Sequence, residues 1–174
     1  MKTILVFVAA ILTMPMHASA QTATHNLSWQ GYGLFGVGWE AQPPGRPTSF
    51  APQIAVGTEI VSAMGVGVGL EMGWTWTQFP AAWLKTPSLD LSYHFPKVAH
   101  KRVEPFVQVG PTLMFNGTVQ SRGGVAVNFA GGINYWFSRH VALRCEFKDF
   151  AQPSYYHYLN YPSPREFRVG VTVR

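Results

Sequence analysis

The chain is short of charge, of cysteine and of long apolar runs, and each shortage excludes a class of protein. Charged residues make up only 12% of the sequence, where a soluble domain carries roughly a quarter. A solvated exterior needs more charge than that, so an ordinary soluble surface fits poorly. The single cysteine, Cys145, excludes an internal disulfide. It falls on the apolar side of an alternating segment, where packing or lipid contact is its simplest role. After the first twenty residues, no apolar stretch reaches the roughly 20 residues that a spanning helix needs. Six histidines are scattered without HxH, HExxH or Cys/His spacing, so neither a metal nor another cofactor is expected. The run Gly65-Val66-Gly67-Val68-Gly69 lacks a following helix and a Lys-Ser/Thr pair, which argues against a phosphate cradle. Nucleic acid is not an expected partner.

What is present points elsewhere. Lys2, an apolar run over 4–12 and Ala18-Ser19-Ala20 have the order of an export leader. Residues 1–20 are therefore expected to be a signal peptide, leaving one domain over 21–174. Aromatic residues reach 14%, and there are 17 glycines. Few charges, many aromatics and no helix-length apolar run together suggest a membrane barrel.

Period-two alternation carries that reading through the domain. Over 64–77, Met64, Val66, Val68, Leu70, Met72, Trp74 and Trp76 share one face, and four glycines, Glu71, Thr75 and Thr77 share the other. A helix would scatter both sets and be weakened by each glycine. The same test predicts strands over 27–39, 52–61, 87–95, 104–116, 125–137, 141–150 and 166–173. Eight strands make an all-β, eight-stranded antiparallel up-and-down transmembrane β-barrel, with both barrel ends of the chain on one side of the membrane. The outer loops then fall at 40–51, 78–86, 117–124 and 151–165, and the inner turns at 62–63, 96–103 and 138–140.

The polar face consists mainly of Gly, Ser, Thr and Asn with a few charges. That is too bare for a solvated exterior and suits a narrow lumen, so the apolar face is assigned to lipid. The lumen then collects Glu59, Glu71, Asp90, His94, Glu104, Arg144, Glu146, Lys148, Glu166 and Arg168. Charges in a low-dielectric interior must be paired or hydrated. Arg144, Glu146 and Lys148 stand one strand away from Glu166 and Arg168, where opposite charges can pair across the ladder. A structural ion-pair plug is the plainest use of this set. A gated polar path, or a carboxylate–histidine pair such as Glu104 with His94, is the sharper alternative.

At the outer end, Arg46, Lys85, Arg122 and Arg165 could meet lipopolysaccharide phosphates. Tyr155, Tyr156 and Tyr158 belong to a tyrosine-rich segment suited to lipid headgroups or to a partner surface. Outer-membrane lipid, lipopolysaccharide and the outer-membrane assembly machinery are the expected partners.

The segment Val103-Glu-Pro-Phe-Val-Gln-Val-Gly, followed by Phe129-Ala-Gly-Gly-Ile-Asn-Tyr-Trp-Phe-Ser-Arg-His-Val-Ala-Leu-Arg-Cys-Glu-Phe-Lys-Asp-Phe, resembles the second half of the small OmpA/OmpX-like outer-membrane barrels. The resemblance covers 103–174 and implies the barrel and its location in a Gram-negative outer membrane. One departure is that such barrels usually end in an aromatic residue, whereas this chain ends Val171-Thr172-Val173-Arg174. The group includes anchors, adhesins, narrow pores and enzymes, so function stays open. The first expectation is a non-enzymatic barrel for envelope integrity or surface interaction. A lipid A-modifying enzyme of the deacylase kind and a narrow pore are the alternatives. Against the enzyme, strand 141–150 offers Arg144-Cys-Glu-Phe-Lys-Asp where the small deacylases resemble a strand-borne His-x-Ser with a Glu.

Overall fold

The computed structural model describes residues 27–40, 49–78, 81–95, 102–116, 123–151 and 164–174. The expected leader, Arg46, Arg122, Tyr155, Tyr156 and Tyr158 lie outside the described residues. Eight strands run in chain order: β1 (Leu27–Glu40), β2 (Ser49–Ser62), β3 (Val66–Gln78), β4 (Ala81–His94), β5 (Val103–Asn116), β6 (Gly123–Trp136), β7 (Val141–Ala151) and β8 (Pro164–Val173). Each pairs antiparallel with its neighbour in sequence, and β1 returns to pair with β8, closing the barrel. Closure gives every strand two partners and leaves no edge, the condition for crossing a bilayer with strands.

The alternation sorts side chains by parity. Along β7, exposed or half-buried residues alternate with buried ones without a break. Phe35, Leu70, Leu91, Phe129 and Phe167 project outward and are at least half exposed. Gln30, Thr75, Asn128, Asn134 and Thr172 project inward and are fully buried. In water this exterior would be one continuous apolar patch, whereas in lipid it carries no penalty. Sequence and structure therefore agree on an eight-stranded transmembrane β-barrel. Cys145 lies on the outer face, half-buried between Ile133 and Val169.

The strand ends differ most at β4. The sequence suggests a start at Pro87 after a loop over 78–86, but β4 begins at Ala81 and that connection shrinks to residues 79–80. Proline reads as punctuation because it cannot donate to a ladder. Here Pro87 keeps its place opposite Met72 of β3, while the β4–β5 register lapses at Thr86–Pro87 and again at Leu89–Asp90. The missing donor is thus accommodated on one side of the strand only.

At the opposite end of the barrel, the β2–β3 and β6–β7 connections are tight. Between β2 and β3, Gly65 adopts φ of 86°, which glycine alone takes without cost, and donates its N–H to the Ser62 carbonyl at 2.9 Å. Between β6 and β7, the Ser138 hydroxyl accepts the N–H groups of His140 and Val141, both at 3.1 Å.

Candidate functional site: the lumen

Among the described residues, the inward face of the barrel carries ten buried Asp, Glu, His, Lys and Arg side chains: Glu59, Glu71, Asp90, His94, Glu104, Arg144, Glu146, Lys148, Glu166 and Arg168. All are within 5% of full burial, so none can rely on bulk water for solvation. They are arranged in tiers along the barrel.

The middle tier is held by Arg168 of β8. Its guanidinium grips Glu71 of β3 through two parallel bonds, Nη1 to Oε1 at 2.8 Å and Nη2 to Oε2 at 3.0 Å. It also bonds Glu146, which faces it directly in the β7–β8 register. Glu146 in turn accepts from Arg144 Nη2 at 2.7 Å and Nε at 2.9 Å. Bidentate, charge-assisted bonds of this kind are the strongest available to side chains. Tyr32 adds a hydroxyl to Glu71 at 3.2 Å.

Arg144 has a second kind of support. Its guanidinium lies 4.2 Å from the Tyr32 ring centroid and 4.0 Å from that of Phe106. Phe106 itself stacks on His94, centroids 5.6 Å apart and planes inclined by 23°. An arginine sandwiched between rings is stabilised without a further counter-charge. Tyr32 and Phe106 escape a reading that marks the lumen by polarity. Their parity is the signal that finds them, since Tyr32 follows Gln30 by two and Phe106 lies between Glu104 and Gln108.

Towards the loop end, Lys148 departs from the neighbour-strand expectation. It faces Glu166 in register, yet its Nζ lies 2.8 Å from Glu71 Oε1 and 3.5 Å from Asp90 Oδ2. Asp90 also accepts from Asn128 Nδ2 at 2.7 Å, and Asn128 reaches Thr112 Oγ1 at 2.9 Å. Glu166 accepts from Thr75 at 3.2 Å and stands 3.7 Å from Arg168. Beyond these polar groups, buried Leu84, Met114, Ala126 and Phe150 pack together as an apolar stopper. The polar-face reading passes over these residues as well, although each shares the parity of lumen neighbours.

The turn end is more open. His94 lies between Glu104 (Nδ1 to Oε1, 2.9 Å) and Glu59 (Nε2 to Oε1, 3.1 Å). A cavity of about 420 Å³ opens above them, lined in part by Ser28, Ser62, His94, Glu104 and Arg174. The Ser92 hydroxyl donates to Glu59 rather than to the imidazole. The His94–Glu104 contact, which the sequence offered as an example of the sharper alternative, is formed.

The outer-end candidates separate. Lys85 lies within β4, opposite Trp74 and Phe115 in register, and not in a loop. Arg165 is the second residue of β8, exposed, with Nε 3.4 Å from Asp149 Oδ2, a surface pair worth at most about 1 kcal/mol.

No family model and no curated protein matches this chain in sequence. Solved structures are similar in fold. The N-terminal β-barrel domain of Pseudomonas aeruginosa OprF superposes with a TM-score of 0.59 at 16% identity, covering 86% of this chain and 97% of that one. Neisserial surface protein A gives 0.62 at 10% identity, covering 84% and 97%. Ail, the attachment invasion locus protein of Yersinia pestis, gives 0.61 at 10% identity, covering 86% and 99%. The chain thus shares the closed β-barrel fold of these outer-membrane proteins.

Proposed function

We propose that this protein is an integral outer-membrane barrel with a closed lumen, which serves envelope integrity or surface interaction and is neither a diffusion pore nor an enzyme. The observation that carries the reading is the filled interior. Arg144, Lys148 and Arg168 are wholly buried and paired with carboxylates from several strands, and an apolar stopper lies beyond them. Pairing of this quality stiffens a barrel and leaves little room for a hydrated path. Interaction would then fall to the loop end, where Arg46, Arg122, Arg165 and the tyrosines at 155, 156 and 158 offer groups for lipopolysaccharide phosphates or a surface partner.

Three measurements on cells that express the protein test this reading. It should fractionate with the outer membrane, and an epitope inserted between Pro44 and Gly45 should be detected on intact cells. Mass spectrometry of lipid A should show the same acyl pattern with and without expression. A changed acyl pattern would replace the reading with a lipid A-modifying enzyme, and an epitope detected only after lysis would reverse the orientation.

A further inference from the structure

The contact between His94 and its two glutamates has an unusual requirement. Carboxylate oxygens lie within hydrogen-bond reach of both ring nitrogens, Glu104 at 2.9 Å and Glu59 at 3.1 Å. A neutral imidazole has one N–H and one lone pair. It can therefore satisfy one of the two contacts, and would turn its lone pair towards the other carboxylate.

The surroundings fix both carboxylates as acceptors. Glu59 of β2 receives the Ser92 hydroxyl from β4, the Gln30 amide from β1 at 3.2 Å and Arg144 Nη1 from β7 at 3.8 Å. Glu104 of β5 receives the Asn134 amide from β6 at 3.4 Å and faces Arg174 Nη2 at 3.6 Å, past the end of β8. With donors from all sides directed at the two carboxylates, the remaining proton belongs on the ring. Phe106 stacks on that ring and is itself packed against the Arg144 guanidinium. The ring is thereby held in the plane that reaches both glutamates.

We propose that Glu59, His94 and Glu104 form a proton-binding site at the turn-end mouth, with His94 an imidazolium that donates from both ring nitrogens. The bound proton ties β2, β4 and β5 together beneath the cavity. When it leaves, it passes from a ring nitrogen to water in that cavity, and the triad gains one unit of negative charge. The ring then faces one carboxylate with a lone pair, and the floor of the cavity loosens. This site stands on local geometry and holds whether or not the barrel conducts.

The test is a long-range ¹H–¹⁵N spectrum of the folded protein, histidine-labelled, in detergent micelles at neutral pH. The His94 signal is identified by its loss in His94→Gln. Both ring nitrogens should resonate as protonated. In Glu59→Gln, or in Glu104→Gln if the first variant folds poorly, the new side-chain carbonyl and amide can rotate to offer the ring an N–H. The same spectrum should then move towards one protonated and one bare nitrogen. A neutral imidazole in the unsubstituted protein would overturn the proposal, and so would an imidazolium signal unchanged in the folded glutamine variant.

Discussion

Arg168 and Glu71 meet across the lumen through two parallel hydrogen bonds, 2.8 and 3.0 Å long, although 97 residues separate them. The pair joins β8 to β3, strands that are not neighbours in the barrel wall. It braces the wall from within. Both groups are buried, so removing Arg168 leaves Glu71 to Lys148 and Tyr32 and the network short of one positive charge, at a cost of about 3–5 kcal/mol. Arg168→Ala should lower the unfolding free energy by that order, measured by urea titration of tryptophan fluorescence in micelles. Arg168→Lys should recover only part of the loss, because an ammonium cannot form the fork. A loss below about 1 kcal/mol for Arg168→Ala would show that the bond is not structurally coupled.

Tyr32 and Gly57 face each other in the β1–β2 register. The phenol ring lies where a Cβ on Gly57 would stand, and the hydroxyl continues to Glu71 at 3.2 Å. The glycine makes the space that the tyrosine fills. Gly57→Ala should therefore destabilise by about 1–3 kcal/mol through overpacking. Combined with Tyr32→Ala, its additional cost should largely vanish, since the clashing partner is gone. Additive losses would place the strain elsewhere.

Leu70, near the middle of β3, faces outward and is 60% exposed. If lipid covers it, Leu70→Arg should cost about 2–4 kcal/mol, and Leu27→Arg, at the strand end, about 0–1 kcal/mol. Folding titrations into bilayers measure both. Equal costs at the two depths would remove the membrane slab from the account.

The β4–β5 seam is the least regular in the wall. Its register lapses around Pro87 and at Leu89–Asp90, while β3 pairs with β4 along its length. Amide exchange in micelles should be faster at Leu89 and Leu113 than at Leu70 and Val68. Uniform protection across the four sites would mean that the seam is as well bonded as the rest.

Much of this was readable from residue order. A period of two needs only local sequence, so the strands, their faces and the inward placement of the ten charged or titratable groups follow from parity. The strand starts were less readable. Pro87 looks like a boundary, and only the pairing to β3 shows that β4 continues through it. The lumen partners were partly readable: Glu146 and Arg168 sit opposite on adjacent strands and do bond. Lys148 passes over Glu166 for Glu71, 77 residues away. That choice depends on how the barrel curves side chains across its axis, which no local pattern encodes. Met114 and Phe150 escaped because polarity, used alone to mark the lumen, overrules parity, and Leu84 because residues 78–86 read as a loop.

The central claim is that buried ion pairs and the apolar stopper close the lumen. Planar-bilayer recording tests it most directly, on folded protein and on a variant carrying Arg168→Ala, Met114→Ala and Phe150→Ala together. The account predicts a silent barrel that becomes conductive, or noisier, once the bracing arginine and the stopper are removed. Steady ion conductance through the unsubstituted barrel would contradict it.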